Sequence, residues 1–178
     1  MADENNKLIP TSAFIPAAER YHFMPTIDRW VIRTVFARQA AAVLKSDGSS
    51  LHVLLVKISG TSLDDESFVD FVREQFIHFA LPYDSICFAI AETTAITNLT
   101  RALSFIDTLK PLGCRFALYD FGSGMSSFAY LKHLDVDFLK IDGSYIKGME
   151  TDPVDCAKIE AIQHISNCLL YTSDAADE

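Results

Sequence analysis

Five ionisable residues fall where apolar, strand-like runs of this sequence end: Lys57, Glu92, Asp120, Lys140 and Asp142. The stretch 116–142, FALYDFGSGMSSFAYLKHLDVDFLKID, holds three of them. It reads as an apolar strand running into an acidic, glycine-rich loop, then a short helix, then a second strand ending in Lys140 and Asp142. Charged groups gathered at the carboxyl ends of parallel strands are what a βα barrel uses as its active rim. The plainer reading is a set of solvated strand ends with no ligand.

Alternation along the strands sharpens the first reading, because successive side chains point to opposite faces. Ile86, Phe88 and Ile90 share one face of a candidate strand. Cys114, Phe116 and Leu118 share a face of the next, and Leu139 and Ile141 a face of the last. These faces are apolar and suit packing under helices. The opposite faces carry Lys57, then Ala89 and Ala91, then Arg115, Ala117 and Tyr119, then Lys140 and Asp142. In a sheet curled into a barrel those second faces point inward. Lys57, Ala91, Tyr119 and Lys140 then stand together at the mouth, with Glu92 and Asp120 following directly.

The elements that must position these residues follow from local pattern. Pro16 marks the first turn of a helix and Pro25 opens a second, with Ile27, Trp30, Val31 and Val35 as its buried face. Residues 45–50 are a turn by composition, and 51–58 form the first strand. Ser62 and Asp64 are candidate caps for a helix with Phe68, Phe71, Val72 and Phe76 on one side. Residues 86–91 form the second strand. Asn98 can cap a helix carrying Leu99, Leu103 and Ile106, closed by Gly113. The third strand is 114–119. A short helix runs from Ser126 or Ser127 to Leu134, and the fourth strand is 136–141. Asp152 and Pro153 start a last helix to about Asn167. Four strands alternating with helices predict a parallel α/β arrangement.

Composition bounds the function. The chain has 178 residues, 49% hydrophobic and 22% charged, which suits one globular domain. A net charge of −9 speaks against a nucleic-acid surface. No apolar run approaches the length of a membrane span, and the start, MADENNK, lacks a basic-then-apolar signal, so a cytoplasmic setting is expected, alone or as part of a larger protein. Cys87, Cys114, Cys156 and Cys168 show no CxxC spacing and read as reduced thiols acting as small hydrophobes.

The segments FIPAAERY at 14–21, IDRWVI at 27–32, AETT at 91–94, YDFGSGMSSFAYLKHLDVDFLKID at 119–142 and the SYIKGM that follows resemble the EAL family. The resemblance covers roughly residues 7–167. It places a partial EAL domain at 1–167 and leaves 168–178 as a tail outside the pattern, disordered or foreign. It implies a partial TIM-type (β/α) barrel with about four parallel strands. It also implies the family's activity, cyclic di-GMP phosphodiesterase. There, magnesium or manganese at the barrel mouth binds a phosphate and activates the water that opens the ring to pGpG. A lysine at the position of Lys140 contacts phosphate and orients or helps deprotonate that water.

The sequence departs from this pattern at the ligand positions. The family's Asn-Leu-Ser reads Lys57-Ile58-Ser59. Its Glu-x-Thr-Glu reads Ala89-Ile90-Ala91-Glu92, and its Asp-Asp-Phe-Gly reads Tyr119-Asp120-Phe121-Gly122. The Glu-Ala-Leu strand, and the later strands with a further glutamate and glutamine, are absent from the chain. The resemblance therefore leaves Lys140 and a vestigial Glu92 as catalytic residues, with Asp142, Lys140 and Lys57 as ligand contacts. Asp120 is left as a weak, vestigial metal ligand. Lys57, Ala89, Ala91 and Tyr119 are the altered positions. With so few oxygen ligands, tight binding of magnesium or manganese is not expected.

Two readings stay open for Lys57: an ammonium that attracts phosphate in place of the metal, or one that only neutralises Asp120 or Glu92. Three stay open for function: a degenerate, non-catalytic domain binding cyclic di-GMP or a protein, a fragment of an active phosphodiesterase, or a non-functional fragment that binds nothing. Open sheet edges would invite a homodimer or partner protein.

Overall fold

Four short apolar strands pair in parallel in the order in which they occur along the chain: β1 (Leu54–Ile58), β2 (Ile86–Ala91), β3 (Arg115–Phe121) and β4 (Phe138–Ile141). The computed structural model describes residues 9–43, 53–122, 128–148 and 152–174. Among them lie eight α-helices: α1 (Thr11–Arg20), α2 (Met24–Val43), α3 (Gly60–Leu63), α4 (Phe68–Phe79), α5 (Glu92–Thr97), α6 (Leu99–Leu109), α7 (Gly143–Gly148) and α8 (Pro153–Asp174). Strand alternating with helix, with every pairing parallel, is the α/β arrangement expected. No helix among the described residues is long and apolar enough to cross a membrane.

The two faces of the sheet are built differently, as alternation predicts. One face sends Val56, Ile58, Ile86, Phe88, Ile90, Phe116 and Leu118 into the main core. There they meet Ile32 and Phe36 of α2, Phe71, Val72 and Phe76 of α4, and Phe105 and Ile106 of α6. Aromatic rings interlock across the layers: Phe36 lies 4.6 Å from Phe76, and Phe88 meets Phe105 edge-on at 5.4 Å. The other face carries a separate small cluster, Cys87, Ala89 and Ala117, with Tyr119 packed against it.

Several elements differ from the sequence reading for identifiable reasons. α1 begins at Thr11 and contains Pro16 in its interior, on an exposed side where the lost N–H costs least. In α2 the buried line is Met24, Asp28, Ile32, Phe36 and Gln39; Trp30, expected inside, is 62% exposed. The stripe was read from apolar residues alone and so missed the polar residues that lie along it. The helix with the Phe68 stripe, α4, starts after Ser67, so neither Ser62 nor Asp64 caps it; Ser62 lies inside the separate short α3, whose cap Ser59 accepts from the Ser62 N–H. β3 continues two residues beyond Tyr119, and α5 starts directly at the end of β2. Residues 128–133 form a 3-10 helix rather than an α-helix; its expected start at Ser126 or Ser127 lies outside the described residues, as do the 45–50 turn and residues 175–178. α8 runs to Asp174, beyond Asn167. Asp152 does begin it: its carboxylate accepts from the Val154 N–H at 2.8 Å.

Candidate functional site

The carboxyl ends of the four strands form one rim, and a single irregularity in β3 divides it. Leu118 pairs with Leu139, but Phe121 pairs with Ile141, so β3 has one residue more than β4 between these pairs. This bulge holds Tyr119 and Asp120, and Asp120 takes a left-handed conformation, φ +54°. A bulge re-phases the side chains that follow it. Tyr119 stays on the face of Ala117, whereas Phe121, which simple alternation would put on that same face, joins the main core.

On the helix-covered side of this divide, polar groups are buried and satisfied. Glu92, the first residue of α5, is 1% exposed. Its two oxygens accept from the Gly122 N–H at 2.8 Å and from the Tyr130 hydroxyl at 2.5 Å. Burial, then the bond to Glu92, pushes the Tyr130 hydroxyl far above its ordinary pKa, so it stays a donor. The Gly122 carbonyl accepts from the Tyr145 hydroxyl at 2.5 Å. Gly122 has φ +90°, and a Cβ there would sit 3.0 Å from Ile162 and 3.2 Å from Tyr145. Only glycine suits that backbone and that space. Glu92 thus holds the backbone of Gly122, directly after β3. The helix dipole alone does not account for its position.

On the open side, Lys57 is exposed and its ammonium lies 3.9 Å from the centre of the Tyr119 ring. Lys57 pairs in register with Ala89, and Tyr119 with Ala91. Burial raises the Tyr119 pKa, with further contributions from Asp120, Asp28 and Glu19, so the ring remains a neutral phenol facing the ammonium. Lys140 is exposed on β4, opposite the bulge and on the side away from Leu139 and Ile141. Asp142 is engaged in local structure: its carboxylate accepts from the Ser144 N–H at 2.7 Å at the start of α7, and its own N–H donates to the Phe121 carbonyl. The Ser144 hydroxyl, then the Ser144 N–H, lowers its pKa.

The structure therefore brings Lys57, Ala89, Ala91 and Tyr119 to one place, puts Lys140 across the bulge, and separates Glu92 from them by burial. The residues present do not fit a divalent cation. Both Glu92 oxygens are committed, the side chains at 89 and 91 carry no oxygen, Asp120 adds a single exposed carboxylate, and an ammonium stands over the ring at 119. Among the described residues no three of His, Cys, Asp and Glu are grouped to hold a metal.

Sequence reasoning missed one residue that shapes the rim. Asp28 of α2 is 4% exposed and its Oδ2 accepts from the Ser59 N–H (2.9 Å), the Ser59 hydroxyl (2.6 Å) and the Ser62 hydroxyl (2.7 Å). It ties the turn after β1, two residues past Lys57, to the helix layer. The signal was available: an aspartate in the middle of a buried helical stripe needs partners.

Comparison with known proteins places these observations. The family model of the EAL domain matches residues 1–172. The chain is 39% identical over 159 residues to the cyclic di-GMP phosphodiesterase PdeB of Shewanella oneidensis, covering 89% of this chain and 18% of that protein. It is 31% identical over 165 residues to the cyclic di-GMP phosphodiesterase PdeA of Borreliella burgdorferi, covering 93% and 24%. It thus spans about a fifth of the length of these relatives. Among solved structures, the PaMucR phosphodiesterase in complex with c-di-GMP superposes with a TM-score of 0.86 at 26% identity, over 94% of this chain and 67% of that one. The FimX EAL domain of Pseudomonas aeruginosa bound to c-di-GMP gives 0.81 at 27% identity, over 97% and 66%.

Proposed function

The chain belongs to the EAL domain family, and on that premise we propose that it serves cyclic di-GMP signalling by binding, not by hydrolysis. The observation that carries this is the state of Glu92. It is the one carboxylate kept from the family's Glu-x-Thr-Glu, and both its oxygens are spent on Tyr130 and Gly122. A phosphodiesterase using two metals needs converging oxygens to stabilise the attacking and leaving groups. Ala89 and Tyr119 supply neither of the carboxylates, and Ala91 lacks the threonine hydroxyl, that the family pattern has there. Lys140, exposed on the open face, is the candidate phosphate contact, together with Lys57. Asp142 contributes by capping α7 beside them.

The test is calorimetry with cyclic di-GMP beside a chromatographic assay for pGpG in magnesium or manganese. Binding without turnover is the expected result; metal-dependent pGpG would overturn the reading. The rival, a fragment of an active phosphodiesterase, draws its support from the phosphodiesterases among the relatives. It requires turnover once the remaining family strands are supplied. The same proposal includes association through the outer strands β1 and β4, which light scattering reads as a mass above that of one chain.

A further inference from the structure

The four altered positions are not scattered over the rim; they form one contact. Lys57 lies on β1 and Tyr119 on β3, with β2 between them. Adjacent strands are about 4.8 Å apart, so a side chain from β1 must cross roughly 10 Å to meet one from β3. The register puts Ala89 beside Lys57 and Ala91 beside Tyr119. With nothing beyond Cβ at either position, the lysine arm passes over β2 and brings its ammonium to 3.9 Å from the ring centre. A glutamate at 89 would stand in that path, and an aspartate at 119 would offer no ring. Each of the four residue types is what this one contact needs.

We propose that Lys57, seated on Tyr119 across Ala89 and Ala91, is an internal cation. It occupies the place of a divalent ion at the mouth and presents its charge to an anionic phosphodiester. An ammonium repels a dication twice as strongly as it repels a monovalent cation at the same distance. The pair therefore excludes a divalent ion. The neutral ring stabilises the ammonium without cancelling its charge. Tyr119 is a positioning residue: it acts through Lys57.

The ligand half of this inference rests on the binding reading above; the metal half does not. Manganese titration followed by electron paramagnetic resonance tests the metal half on the protein alone. Wild type should not bind manganese, and the triple variant Lys57→Asn, Ala89→Glu, Tyr119→Asp should. Micromolar binding by wild type overturns the proposal. If the triple variant does not fold, the wild-type titration still decides.

Cyclic di-GMP binding in EDTA tests the ligand half. Lys57→Met should weaken it about tenfold and Lys57→Arg should keep it, since a guanidinium also sits on a ring. Tyr119→Phe should match wild type, and Tyr119→Leu should lose affinity that adding Lys57→Met does not lose again. Equal affinity of wild type and Lys57→Met, or tightening by magnesium, overturns the proposal while leaving the binding reading intact. No binding by wild type in either buffer overturns the binding reading and the ligand half together, leaving the manganese result to judge the rest.

Discussion

The same four strands carry two faces that follow different rules. Under the helices, Phe88 and Phe116 are fully buried in an aromatic core. On the other face the centre is Cys87, Ala89 and Ala117, and the rim is Lys57, Tyr119 and Lys140. The bulge at Tyr119 and Asp120 separates them within a single strand: Tyr119 belongs to the open face, and two residues on, Phe121 belongs to the core. The helix face fixes the fold through volume and satisfied polar groups. The other face is packed at its centre only by small residues, Cys87, Ala89 and Ala117, and every departure at a ligand position lies on it. The chemistry of an EAL rim can therefore change without disturbing the scaffold beneath it.

The largest expected effect tests that division directly. Phe88→Ala should cost about 4 kcal/mol in urea unfolding, the range of aromatic truncation in a packed core. Leu55→Ser, on the same sheet but 51% exposed on the open face, should cost less than about 0.5 kcal/mol. A large cost at Leu55 would mean that the open face is covered in solution.

Next comes the buried clamp. Glu92→Ala leaves the Gly122 N–H and the Tyr130 hydroxyl without their acceptor, and about 3 kcal/mol of stability should go with it. Glu92→Gln keeps an acceptor oxygen and should lose about half as much. Tyr130→Phe, which removes a partner and not the clamp, should cost about 1 kcal/mol. If Glu92→Ala melts like wild type, the clamp on Gly122 and Tyr130 does not stabilise the fold and Glu92 is free for chemistry.

A pH scan probes the faces through their thiols. Burial pushes Cys87 up to about 11 and Cys114 up to about 12, both above the ordinary thiol value of 9.0. Their folded pKa values are raised, so the associated stability is fully present below pH 9 and is lost as pH rises through 11 and 12. The melting temperature should fall over that window, and Cys114→Ala should reduce the slope. At pH 8 iodoacetamide should modify Cys156 first among the three described thiols.

How much of this could be read from the sequence depends on what each feature needs. Strand alternation is local, so the two faces and the neighbourhood of Lys57, Ala91 and Tyr119 were legible. Family motifs placed the rim. The bulge was not legible, because it exists only in the pairing of β3 with β4. Nor was the Lys57 to Tyr119 contact, which depends on the register of three strands. α5 and α7 were missed because α5 follows β2 directly and α7 follows β4 after one residue, leaving no loop composition to announce a start. Trp30 and Asp28 were misjudged together: hydrophobicity put the tryptophan inside, but α2 turns its aspartate inward to hold Ser59 and Ser62.

The smallest predicted effect bears most on what the open face is for. An ammonium on an exposed or half-buried ring is worth about 0.5–1 kcal/mol. Lys57→Met and Tyr119→Leu should therefore each change stability by less than about 1 kcal/mol, with a coupling in the double variant of similar size. Tyr119→Phe should leave the coupling in place, since the ring alone holds the ammonium. A pair kept for stability would show more, and a coupling above about 2 kcal/mol would make the contact a structural tie that joins β1 to β3 across β2. A small coupling beside a large effect of the same substitutions on cyclic di-GMP affinity separates the two faces: one holds the fold, and the other spends its residues on charge presented at the mouth.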